Sequence, residues 1–164
     1  MKEQIPLRSE LAQADTWDLS KLYRDDEAWE AGLLAYEAYI DKISTFKGSL
    51  GKSVEDLARW LNFITEMGLV AERLAYYSQL RLNEDEGRAS YRSMIGRFTM
   101  AATRAASEAA WAKPEIQAID DASMQEFLQS PLLKDSRIYL EKLLRFKPHI
   151  LSESEERILS LHSE

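Results

Sequence analysis

The sequence of 164 residues has no cysteine, only two histidines, four prolines and six glycines. The missing cysteine excludes disulfides, thiol nucleophiles and zinc–thiolate sites, and it fits a reducing, cytoplasmic compartment. No apolar run approaches the roughly 18 to 20 residues that a membrane-spanning helix needs. The start, Met1-Lys2-Glu3-Gln4-Ile5-Pro6, lacks the apolar stretch of a signal peptide. Basic residues are also in short supply. With 21 of them against 28 acidic, the net charge of −7 offers no long-range attraction to phosphate backbones or anionic lipid. The expectation is a cytoplasmic chain with neither a nucleic-acid nor a membrane partner.

What is present is enough for a folded core: 45% hydrophobic residues, including four Trp, seven Tyr and five Phe. Between the few Pro and Gly lie long stretches of Ala, Leu, Glu, Lys and Arg, and no strand-like alternation appears, so the fold class is all-α. Residues 1–24 form an extended lead-in, with Trp17, Leu19, Leu22 and Tyr23 available to tie it to a body comprising residues 25–164. Asp25 and Asp26 supply a cap and negative charge at a helix start. Trp29, Leu33, Tyr36, Ile40 and Ile43 then continue one stripe, predicting a helix over about 26–46 that ends at Gly48 and Gly51.

A Ser53/Asp56 capping pair opens a helix over about 54–83. It carries two apolar stripes, one through Leu57, Leu61, Ile64, Gly68 and Ala71, the other through Trp60, Phe63, Met67, Val70, Leu74 and Tyr77. So wide an apolar arc predicts packing between two neighbours. A third helix over about 89–112 ends alanine-rich, which predicts close approach to another backbone, and Lys113-Pro114 stops or kinks it. Together these form an antiparallel array of long helices. Shorter ones follow at about 124–129 after a Ser123/Glu126 box, at about 133–146, and from Glu153 onward after Ser152/Glu155.

Chemistry is scarce. His149 and His162 are thirteen residues apart and cannot form the one-turn pair that commonly holds zinc. Gly51-Lys52-Ser53 resembles the end of a phosphate loop, but the loop's first glycine would fall at residue 46, which is Phe. There is no Gly-x-Ser-x-Gly elbow, and the acidic clusters read as solvated helix ends. Tyr76, Tyr77 and Arg81 remain as candidate cleft residues. No residue is assigned a catalytic or metal-binding role.

The ordered segments say more. They are Arg8-Ser9-Glu10, Asp15-Thr16-Trp17-Asp18-Leu19, Leu22-Tyr23, Phe46-Lys47-Gly48 with Leu50, Tyr77 through Asp85, Pro114-Glu115, Tyr139-Leu140-Glu141, Arg145 through His149, and Leu151-Ser152 with Glu155-Glu156. In this order they resemble the opening of oligoendopeptidase F-type zinc metallopeptidases, of the thimet oligopeptidase-like superfamily. That resemblance implies a zinc endopeptidase that cuts short peptides in a deep channel between helical lobes. Its HExxH motif would come much later in the chain, so zinc is the cofactor of the full-length enzyme and none is bound by these residues. The implied role is an N-terminal lobe that walls the channel, inactive alone, with the missing catalytic part and short peptides as partners. Self-association through uncovered apolar residues of the last helix is expected. The alternative is a stand-alone acidic helical scaffold or protein-interaction domain.

Overall fold

The structure is a computed structural model describing residues 10–12, 15–145 and 147. Among the described residues six α-helices follow one another: α1 Asp26–Ile40, α2 Val54–Glu84, α3 Ala89–Ala109, α4 Ala112–Ala118, α5 Asp121–Gln129 and α6 Arg137–Arg145. Two 3₁₀ turns, Ile43–Phe46 and Pro131–Ser136, lie between them. No strand occurs among the described residues, so the fold is all-α as read from the sequence. No described helix is long and apolar enough to cross a membrane. The helix expected from Glu153 onward lies outside the described residues.

The chain divides into two compact units. The first holds the described residues up to Lys47 together with Asn62–Ala110; the second holds Gly48–Leu61 and the described residues from Trp111 onward. Helix α2 contributes its first turns to the second unit and the remainder to the first. At 31 residues it is about 46 Å long.

In the first unit, α1 is started by Asp25, whose carboxylate accepts the Ala28 N–H at 2.8 Å. That backbone bond, joined by Arg24, holds the Asp25 carboxyl below its usual range. α1 runs antiparallel to α2: its start meets the far end of α2 through Asp26 and Tyr77, and its end meets Phe63 through Tyr39. α3 runs parallel to α1, since Glu30 pairs with Arg97, Tyr36 packs on Phe98 and Asp41 pairs with Arg104. Trp29, fully buried, fills the centre and donates its Nε1–H to the Leu74 carbonyl at 2.9 Å. Of the two neighbours expected of α2, these contacts show α1. The first stripe of α2 is nonetheless covered only in part, for Ile64 and Ala71 are half-buried and Gly68 is exposed.

Several boundaries differ from the sequence reading; the helix expected over about 133–146, for one, is the 3₁₀ turn Pro131–Ser136 followed by α6 from Arg137. α1 stops at Ile40 rather than near Phe46, because the buried Ile43 is reached through a 3₁₀ turn that keeps the apolar pattern going after the helix has ended. α3 ends at Ala109, and Pro114 sits in the first turn of α4, where a missing N–H costs nothing. Asp120, not Ser123, caps α5, accepting the Ser123 N–H at 2.9 Å. Its carboxyl is lowered chiefly by that bond. In the third helix, Ala101 and Ala105 are buried, in keeping with close packing of α3 on α1 and the Ile43–Phe46 turn.

In the second unit, Trp60 packs on Trp111 with ring centroids 5.1 Å apart. The turn at Gly48, which takes φ +79° as glycine readily does, is held by the Glu115 carboxylate. That group accepts both the Gly48 and the Leu50 N–H at 2.8 Å. Lys147 reaches back to the Ile119 carbonyl and to Asp121.

Candidate functional site

Helix α2 carries the three sequence candidates, and the structure separates them. Tyr77 is 3% exposed and Tyr76 is 60% exposed, as neighbours on a helix whose inner face is covered must be. The Tyr77 hydroxyl donates to Asp26 Oδ1 at 2.8 Å, and its ring meets Tyr23 edge-on at 5.6 Å. One turn further on, Arg81 Nε lies 3.4 Å from the same Asp26 oxygen, and Nη1 lies 3.2 Å from Glu84 Oε2. The Arg81 guanidinium also stands over the Tyr91 ring at 4.7 Å. Asp26, Tyr77 and Arg81 thus form one interlocked group that fixes the start of α1 to the end of α2.

Burial, and then the bond to Asp26, push the Tyr77 phenol well above its ordinary value of 10.0. Tyr23 and Tyr36 are also raised by burial. The sign follows directly: folding favours the neutral phenol, so the contribution is present below about pH 10 and is lost as pH rises past it. Stability should fall in alkali. Tyr77→Phe should remove the last-titrating step in absorbance at about 295 nm and lower stability at neutral pH by about 0.5–1.5 kcal/mol. An alkaline titration identical in wild type and variant would contradict this.

Beside this group lies a cavity of about 810 Å³, walled by Trp17, Asp18, Leu19, Tyr23, Tyr77 and Arg81 and edged by Arg24, Asp25, Asp26 and Glu27. Its polar groups are mostly committed. Asp25 caps α1, Asp18 accepts the Ser20 N–H at 3.0 Å, and Arg24 pairs with Asp25. Ser20, through its hydroxyl first and its N–H second, lowers the Asp18 carboxyl. Trp17, 54% exposed, does not tie the lead-in down. Tyr23 does so instead: its ring lies so close over Gly32 that a Cβ there would meet Tyr23 Oη at 2.6 Å. Arg73 donates to the Leu22 carbonyl at 2.6 Å and covers the Tyr23 ring. The cavity's described lining carries the carboxylates Asp18, Asp25, Asp26 and Glu27 but no cysteine and no histidine.

Among the described residues, no group of three or more His, Cys, Asp or Glu is placed to hold a metal ion. His149 and His162 lie outside the described residues. The sequence reading found Tyr77 and Arg81 but not their shared partner Asp26, 51 residues away from Tyr77 and visible beforehand only as a cap. It also quoted Gly48, Leu50 and Glu115 without any signal that the carboxylate of the last would hold the backbone of the first two.

The described residues define the class as all-α, helices packed around buried aromatic and aliphatic side chains. The family described as Oligopeptidase F matches residues 115–164. Oligopeptidase PepF of Bacillus subtilis is 33% identical over 98% of this chain and 24% of its own length. An oligoendopeptidase F homolog of Borreliella burgdorferi is 30% identical over 93% of this chain and 26% of its own length. The chain matches the N-terminal region of oligoendopeptidase F-type peptidases. It spans about a quarter of the length of the curated relatives it matches.

The fold recurs in solved structures. A crystal structure from Chlamydophila abortus aligns with a TM-score of 0.82 at 24% identity, covering 98% of this chain and 27% of that one. Oligoendopeptidase-F from Enterococcus faecium aligns at 0.69 with 20% identity, covering 82% and 26%. At these identities the likeness is one of fold.

Proposed function

We propose that this chain is the helical N-terminal lobe of a zinc-dependent, cytoplasmic oligopeptidase, walling the channel in which short peptides are hydrolysed. The observation that carries this reading is the alignment of nearly the whole chain with only a quarter of PepF, a protein named as an oligopeptidase. The catalytic part and its zinc would belong to the remaining sequence, for the described residues offer no donor set that fits such an ion. No step of the reaction is therefore assigned here. The lobe's contribution would be steric, narrowing access so that small unfolded peptides enter and folded proteins do not. Tyr76, exposed on α2, is the candidate that could meet peptide, whereas Tyr77 and Arg81 hold the surface in place.

The test uses the full-length peptidase. Tyr76→Ala should raise KM for a quenched fluorescent peptide with little change in kcat, and removing residues 1–164 should relax the preference for short over long peptides. Unchanged size preference in a deletion that keeps its activity would defeat the channel-wall reading. The 164-residue chain alone is expected to show no chelator-sensitive hydrolysis of the same peptide.

A further inference from the structure

We infer that the outward seam between α1 and α3 is a docking face for a second copy of this chain. The seam holds a groove of about 290 Å³ floored by Leu33 and Ala101 and flanked by Leu34 and Met100, each of the latter two 67% exposed. Along α1 the exposed positions Ala31, Leu34, Ala35 and Ala38 fall at steps of three and four with no charge among them. Such a stripe on the outer face of a surface helix would ordinarily carry Lys and Glu.

The charges beside the stripe point to the occupant. On this seam α1 presents acids, Glu30, Glu37 and Asp41, while α3 presents bases, Arg97 and Arg104. Glu30 pairs with Arg97 and Asp41 with Arg104, so acid and base stand at matching heights along two parallel helices. A two-fold axis parallel to those helices would lay α1 of one copy on α3 of the other without changing height. Leu34 would then meet Met100 of the second copy, and each acid row would face a base row. The other two-fold arrangement, with the axis across the helices, sets acid on acid and is disfavoured. The face is complementary to itself in one way only.

Two helices about 9 Å apart and about 22 Å long cover on the order of 500 Å² per copy, less than the roughly 800 Å² of a firm interface. The dimer should accordingly be weak, with Kd on the order of 10–100 µM. This face lies on α1 and α3, whereas the sequence reading placed self-association on the last helix, and the proposal does not depend on the channel-wall reading.

Sedimentation of the 164-residue chain from about 1 µM to about 1 mM should show reversible dimerisation. Leu34→Glu and Met100→Glu, at exposed positions, should each weaken it at least about tenfold while far-UV circular dichroism stays unchanged. Leu132→Glu, on the 3₁₀ turn Pro131–Ser136, should leave it alone. A chain that is monomeric at about 1 mM, or a dimer indifferent to both glutamates, overturns the proposal. So does a longer polypeptide in which the outward amides of α1 and α3 are protected from exchange independently of concentration.

Discussion

Trp29→Ala is expected to remove about 3–5 kcal/mol from the unfolding free energy, the range for deleting a fully buried large aromatic. Trp29 has no solvent exposure, its Nε1–H is bonded to Leu74, and Arg97 covers its ring at 5.3 Å. Removing the indole leaves a void at the meeting of α1 and α2 and uncovers the guanidinium at once. Against a typical total of about 5–15 kcal/mol, such a loss brings the chain close to its unfolding limit. Trp29→Phe separates the contributions, because it keeps most of the apolar volume and loses the N–H. The Leu74 carbonyl retains the Ser78 hydroxyl at 2.9 Å, so no acceptor is orphaned and the cost should be only about 1–2 kcal/mol. Urea unfolding followed by circular dichroism measures both variants. A loss under about 1 kcal/mol for the alanine variant would mean that the indole is not central to the core.

The second large effect is expected at Glu115. Its carboxylate accepts two backbone N–H groups 65 and 67 residues earlier, at Leu50 and Gly48. Bonds of this kind contribute about 1.5–3 kcal/mol each when buried, and less where water can substitute, as it can at exposed Gly48. Glu115→Ala should therefore cost about 2–3 kcal/mol, and Glu115→Gln, which keeps one carbonyl acceptor, about half of that. Leu50 is fully buried, so releasing its N–H also loosens an apolar anchor. Amide exchange gives a sharper readout than global stability. Gly48 and Leu50 should lose protection in the alanine variant while Trp29 and Leu74, in the other unit, do not. Equal loss throughout would show that the carboxylate does not act locally.

Local pattern made most of the helices legible. α2 was expected over 54–83 and spans Val54–Glu84, because a capping Ser53 starts it and a charged turn with Gly87 follows it. Ends without punctuation were misjudged. Nothing in Ala109-Ala110-Trp111-Ala112 announces that α3 has stopped, and Ile43 and Phe46 prolong the apolar stripe of α1 past its last helical turn. The division into two units was invisible for the same reason, since one boundary falls inside α2, between Leu61 and Asn62, where helix formers run on unbroken. For the site, pattern supplied the α2 side chains but not their partners. A phenol and a guanidinium four residues apart in the helix gave no hint that one carboxylate on α1 would hold both.

Gly32 has a consequence for the order of assembly. The space that Tyr23 occupies is the missing Cβ of a residue in mid-helix, so it takes shape only when α1 has already coiled. The lead-in can then seat, and Arg73 of α2 can close over the Tyr23 ring only after both. Docking of the lead-in is therefore expected late in folding. Its loss should speed unfolding while leaving the rate of folding nearly untouched.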